Sequence, residues 1–347
     1  MKTFYEENSF FILIVAIFLC FTYALPDTFK SVHSFNPTVY LSHLDLISRY
    51  AAAFLAIVFV KELIYHFHDG YDGLRTSARK TYTRYLRPER LFGFVLLMVL
   101  VPLYFYAYTT FKISTNQAKP FLYDHLLERI DSLVHAGDPP WMFLFPYLSN
   151  EQMTLALDKL YSQGWFISWI SIFTWMAWTT KRELRWTFFA NFSLAWILLG
   201  TYMANLLTSA GPCYFDKITR SFGPYQQLFD HLYAIHERLP LGALNGQNIL
   251  WAVYQGGDFI QGKGISAMPS MHLSMMTTCT LGAWGLNRWV GGGYAILTIG
   301  ILVGSVYLGW HYAIDGYVSI LLTGVLWYLL AKIARRKFQT TKLSENS

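Results

Sequence analysis

The sequence predicts an all-α polytopic membrane protein with about eight transmembrane helices. Three observations carry that expectation. Of 347 residues, 54% are hydrophobic and only 14% are charged, roughly half the ~25% charged content of a soluble domain. The apolar residues gather in runs close to the ~20 that a helix needs to cross the hydrocarbon. The lysines and arginines cluster in alternate connections between those runs.

The runs are about 9–26, 44–65, 91–110, 162–180, 186–208, 270–287, 291–309 and 311–333. None alternates polar and apolar residues as a half-buried strand would. In lipid each segment must satisfy its own backbone polar groups, so each run reads as a helix. The first run, Phe10 to Leu25, lacks a small-residue cleavage site and is preceded by Glu6 and Glu7. It therefore reads as an uncleaved span. Cys20, Cys213 and Cys279 are too few and too far apart for a disulfide framework or a thiolate metal site.

Orientation follows from the basic residues. With the N-terminus in the cytoplasm, sixteen Lys and Arg fall inside, in dense groups such as Arg75, Arg79, Lys80, Arg84, Arg87 and Arg90. Nine fall outside, spread over longer segments. Both termini are then cytoplasmic. The net charge of +6 is a topology signal, and no nucleic-acid partner is expected.

Two long connections face outside, about 111–161 and 209–269. In the first, Leu122, Leu126, Ile130, Leu133 and Val134 form a stripe at helical spacing, ended by Gly137-Asp138-Pro139-Pro140. This predicts an amphipathic helix on the membrane surface, or a short helix packed on other outer loops.

The second connection leads to the chemistry. Gly264-Ile-Ser-Ala-Met-Pro-Ser-Met-His272 runs into the sixth span. Pro269 suits the first turn of a helix, where its missing N–H costs nothing. Ser270 and the free N–H groups of that turn make an anion site, with His272 just inside. Further on, Gly309-Trp310-His311-Tyr-Ala-Ile-Asp315 opens the eighth span. A spacing of four puts His311 and Asp315 on one helix face. The carboxylate can hold one ring nitrogen and leave the other free as a nucleophile. An ionisable pair within a span is costly and marks function. Span six runs inward and span seven returns, so His272 and His311 share the outer face. In a phosphoryl transfer, His311 attacks phosphorus, Asp315 orients it and His272 protonates the leaving oxygen. No metal or other cofactor is required if cations neutralise the phosphate oxygens.

Pro269, Ser270 and His272, followed by His311 and Asp315, resemble the second and third motifs of the type-2 phosphatidic acid phosphatase superfamily. The resemblance covers roughly residues 165–333. It implies the roles just given, a helical phosphatase-type bundle and no metal. Two departures stand out. Ser305 occupies the place where the superfamily's third motif carries an arginine. The first motif is present only loosely, as Ser209-Ala-Gly-Pro-Cys-Tyr-Phe-Asp-Lys217-Ile-Thr-Arg220. Lys217, Arg220 and Lys263 are the candidates to supply the missing positive charge. Both departures resemble the inositol-phosphorylceramide and sphingomyelin synthase branch, which implies transfer of a phospho-headgroup between lipids.

The expected organisation is a three-span region with its interfacial helix (1–161), a catalytic membrane bundle (162–335) and a cytoplasmic tail (336–347). The expected partners are the bilayer and a lipid phosphate or phospholipid, with the site facing outward. Short loops and compact length fit a bacterial cell membrane; an endomembrane with a luminal site obeys the same orientation rule. A transporter or scaffold on a degenerate enzyme core is the rival reading. Transporters place polar groups near the midplane, whereas here they gather at one face. Arg49, near the outer end of span two, reads as snorkelling or as a phosphate contact. His66, His68 and Asp69 lie on the opposite, basic side and are expected to hold no metal.

Overall fold

The computed structural model describes residues 2–23, 37–116, 120–256 and 264–345. Among them the chain is all-helical, with no strand. Each expected run coincides with a helix. The N-terminal part contributes α1 (Lys2–Tyr23), α2 (Pro37–Tyr65), α3 (Gly70–Thr81) and α4 (Pro88–Asn116). Three short helices follow: α5 (Asp124–Val134), α6 (Pro140–Leu148) and α7 (Glu151–Lys159). A π-helical turn, Leu160–Gly164, joins α7 to α8 (Trp165–Trp178). Then come α9 (Arg182–Leu206), which contains another π turn, and the short helices α10 (Phe215–Thr219), α11 (Gln226–His236) and α12 (Gly242–Tyr254). The chain closes with α13 (Met271–Leu286), α14 (Arg288–Tyr307) and α15 (Ala313–Glu345).

Among the described residues, three helices are long and apolar enough to cross a membrane alone: Arg182–Leu206, Arg288–Tyr307 and Ala313–Gln339. A fourth is gained if Ala51–Tyr65 and Phe67–Thr81, bent by 65°, count as one span. Helices α8 and α13 have 14 and 16 residues, short of the ~20 of a straight crossing. Apolar helices of this kind mark a membrane protein.

Two apolar cores position the site. One joins α1, α4, α8, α9 and α13 through Phe11, Leu97, Tyr104, Phe188 and Phe192, all at most 1% exposed. The other joins the short helices, through Leu228, Leu232 and Leu244, to α13–α15, through Leu273, Tyr307 and Ala313. Polar side-chain pairs stitch the helices together. Ser274 meets Thr323 at 2.8 Å, and Asn191 donates to Thr278 at 2.8 Å. Such pairs hold helices where lipid gives no hydrophobic drive for association.

Helix α5 realises the expected amphipathic helix, in the arrangement that a surface helix rather than a loop-packed one calls for. Its apolar stripe faces outward: Leu122, Leu126, Leu133 and Val134 are 50–79% exposed. The opposite face, with Asp124, Leu127 and Asp131, is buried, and its two aspartates bond the backbone at 210–211 and 313–314.

Candidate active site

The site is assembled from three loops at one end of the bundle, where α9 ends and α13 and α15 begin. The third loop is the most determined by sequence. Gly309, at φ +70°, ends α14 in a left-handed turn that favours glycine. Trp310 N–H then donates to Ser305 O at 2.9 Å, and Gly309 N–H to Val306 O at 3.1 Å. These two bonds satisfy carbonyls at the helix end and throw Trp310 and His311 across the bundle.

Helix α15 begins only at Ala313, so His311 precedes it and does not share a helix face with Asp315. The two meet because the helix start is capped from both sides. Asp315, in the third helical position, reaches back to accept Tyr312 N–H at 3.0 Å, half of a capping box. Asp131 of α5 accepts Ala313 N–H at 3.0 Å and Ile314 N–H at 2.9 Å.

His311 is 6% exposed and Asp315 is fully buried. The Nδ1 of His311 lies 2.9 Å from the carbonyl oxygen of Ala267 and 3.4 Å from Asp315 Oδ2. A carbonyl cannot donate, so Nδ1 carries the proton and Nε2 the lone pair. The shorter bond is to a backbone carbonyl that no motif reveals; the expected carboxylate partner is the longer one.

The second loop supplies that carbonyl. Ala267 N–H donates to Ser209 O at 2.9 Å, and Met268 N–H to Ser209 Oγ at 3.0 Å. Ser270 is the N-cap of α13, in extended backbone. Pro269 therefore stands one residue before the cap and not in the first turn. The Ser270 side chain is fully buried, and its hydroxyl has no hydrogen-bond partner among the described residues. His272 follows in the first turn. Its ring is stacked on Tyr161 at 4.6 Å, lies 4.5 Å from the Trp165 ring, and stands 6.2 Å from the His311 ring, centroid to centroid.

The first loop is held by Asp124. Its carboxylate accepts Ala210 N–H at 2.9 Å, Gly211 N–H at 2.8 Å and the Tyr312 hydroxyl at 2.9 Å. Gly211 has φ +95°, and a Cβ there would stand 2.6 Å from the Trp310 carbonyl oxygen. Only glycine fits so close a crossing of two loops. Cys213 N–H closes the junction on Gly309 O at 3.0 Å. Burial raises the carboxyls of Asp124 and Asp131 above their ordinary range, and the N–H donors pull each part of the way back. Neither aspartate is apparent as a functional residue in the sequence. The available signal is their spacing of seven on a helix whose other face is apolar.

A cavity of about 530 Å³ opens onto both histidines. Its wall includes Tyr161, Trp165, Tyr214 and Trp310, and it extends between α4 and α9 past Phe105 and Trp196. Among the described residues no lysine or arginine lines it. Asp158 does, and it caps α12 by accepting Gly242 and Ala243 N–H at 2.9 and 2.7 Å.

The expected cations lie elsewhere. Lys217 Nζ sits 5.0 Å from the Trp251 ring centroid and 5.9 Å from that of Tyr214. Arg220 is exposed at the end of α10, at φ +55°. Lys263 falls outside the described residues. Arg49 pairs with Asp45 at 2.9 Å, away from the cavity wall. On the other side of the chain, His66 engages Asp69 at 3.2 Å and Lys80 at 2.8 Å.

Comparison with known proteins gives one match. A family model described as the PAP2 superfamily matches residues 126–329, more than half of the chain. No curated protein and no solved structure matches.

Proposed function

The chain belongs to the PAP2 superfamily, whose members are phosphatases and phosphotransferases, and on that premise we propose a lipid-phosphate phosphotransferase or phosphatase working through a phosphohistidine. The observation that carries the reading is the fixed tautomer of His311, with Nε2 free and His272 one ring away at 6.2 Å.

In the first step Nε2 attacks phosphorus, and the bond from phosphorus to the leaving oxygen breaks. Protonated His272 gives its proton to that oxygen, and the phosphoryl group remains on His311. In the second step His272 takes the proton of water or of an alcohol, whose oxygen attacks phosphorus and releases His311. Asp315 and the Ala267 carbonyl hold the ring and offset the charge that develops on it. Ser270 and the first turn of α13 receive phosphoryl oxygens. Lys217, over the ring of the wall residue Tyr214, attracts an anionic headgroup, with Arg220 three residues further on.

A lipid substrate is supported by the cavity's extension between α4 and α9, which suits an acyl or prenyl chain. Eight crossings with an outward-facing site agree with the distribution of basic residues. Transfer to a lipid alcohol is the finer proposal, and it rests on Ser305 and the loose first motif. The test is turnover by purified protein, with EDTA present, on phospholipids and prenyl phosphates, with and without a lipid alcohol. Metal-free turnover that vanishes in His311→Ala is expected, and the product separates hydrolysis from transfer. Turnover that survives the substitution would remove His311 as nucleophile.

A further inference from the structure

Tyr161 projects from the π-helical turn between α7 and α8. Such turns insert an extra residue and re-aim a side chain, often at functional sites. Its ring is stacked on His272 at 4.6 Å and on Trp310 at 6.1 Å, next to the nucleophile. It is 4% exposed, it forms part of the cavity wall, and its hydroxyl has no hydrogen-bond partner among the described residues.

Among the described tyrosines the buried hydroxyl of Tyr225 also lacks a partner, but Tyr225 is not part of the cavity wall. The buried hydroxyls of Tyr104, Tyr108, Tyr214 and Tyr312 donate to Ser193 O, Gly200 O, Gln247 O and Asp124. A buried polar group without a partner is costly and calls for a functional explanation. The same cavity has no lysine or arginine on its described wall, although a phosphoryl group in transfer gathers negative charge on its oxygens. An unsatisfied donor and an anion without a cation are complementary.

We propose that Tyr161 is a catalytic residue whose hydroxyl donates a hydrogen bond to a non-bridging phosphoryl oxygen, a neutral donor where a cation would otherwise stand. The proposal rests on the reading of His311 as the nucleophile. The hydroxyl keeps its proton throughout, so no bond to it forms or breaks. Its contribution is greatest when charge on the phosphoryl oxygens is greatest, in the transition state.

Tyr161→Phe isolates the hydroxyl, because the ring and both stacking contacts remain. The variant, the wild type and His311→Ala are compared in thermal melts with and without orthovanadate, and in lipid turnover. Without vanadate, Tyr161→Phe is expected to melt at or above the wild-type temperature, since it loses an unsatisfied group. Its vanadate affinity falls about tenfold, and its turnover falls on the order of a hundredfold, as for loss of one oxyanion donor. A lower melting temperature without vanadate would mean that the hydroxyl has a structural partner, and would overturn the proposal. Wild-type vanadate affinity and turnover in Tyr161→Phe, with both lost in His311→Ala, would overturn it alone. Vanadate binding and turnover that persist in His311→Ala would instead remove the phosphohistidine reading beneath it.

Discussion

The hydroxyl of Tyr312 donates to the carboxylate of Asp124 at 2.9 Å, joining α5 to the loop that carries His311. The same carboxylate holds Ala210 and Gly211. One side chain thus fixes the relative position of two catalytic loops. Tyr312→Phe keeps the ring and removes one bond to a charged acceptor, so it should cost about 1.5–3 kcal/mol of stability. Turnover should fall, because the displaced loop carries His311 and the Trp310 wall of the cavity. Denaturation in detergent and steady-state kinetics measure the two effects. A wild-type kcat would show that this bond does not position His311.

Gly211→Ala tests the loop crossing from the other side. The backbone there, φ +95° and ψ 170°, lies in a region essentially confined to glycine, and strain of that kind costs about 1–3 kcal/mol. The new methyl group also meets the Trp310 carbonyl, which the turn ending α14 prevents from yielding. Melting temperature and turnover should both fall. An alanine variant with native stability would mean that the two loops are not in contact.

Much of this architecture is legible in the sequence, because a helix in lipid must be written as a continuous apolar run. The meeting of His272 with His311 is legible for the same reason: two successive apolar helices, α13 and α14, return the chain to one end of the bundle. Orientation about a helix axis is not. The stripe Leu122, Leu126, Leu133 and Val134 announces an amphipathic helix, but periodicity cannot say whether lipid or protein covers it. Here the aspartates turn inward, because N–H groups at Ala210, Gly211, Ala313 and Ile314 await acceptors. Those donors lie roughly 80 to 190 residues away along the chain, and no local pattern announces them. The Ala267 carbonyl is hidden for a like reason, since a backbone atom leaves no residue-type signal.

If His272 protonates the leaving oxygen, its importance depends on the leaving group. A lipid alkoxide needs a proton, and general-acid catalysis contributes roughly 10²–10⁴-fold. A nitrophenolate leaves without one. His272→Ala should therefore lose turnover on a phospholipid by about that factor, and far less on a nitrophenyl phosphodiester. Equal losses on both substrates would assign His272 to binding or packing, a role its stacking on Tyr161 and Trp165 could fill.

Asp315→Asn separates orientation of the nucleophile from stabilisation of its charge. Where a carboxylate alone fixes a catalytic histidine, the amide costs about 10⁴-fold, because the ring adopts the wrong tautomer. Here the Ala267 carbonyl, at 2.9 Å, binds Nδ1–H more closely than Asp315 does at 3.4 Å. An amide oxygen can still accept Tyr312 N–H, so the cap of α15 survives. The tautomer should persist, and only the negative charge beside the proposed phosphohistidine is lost. The expected fall in kcat is then nearer 10²-fold, at the lower end of the electrostatic effects measured in enzymes. A 10⁴-fold loss would mean that the carbonyl does not hold the ring during turnover, and that Asp315 alone orients it.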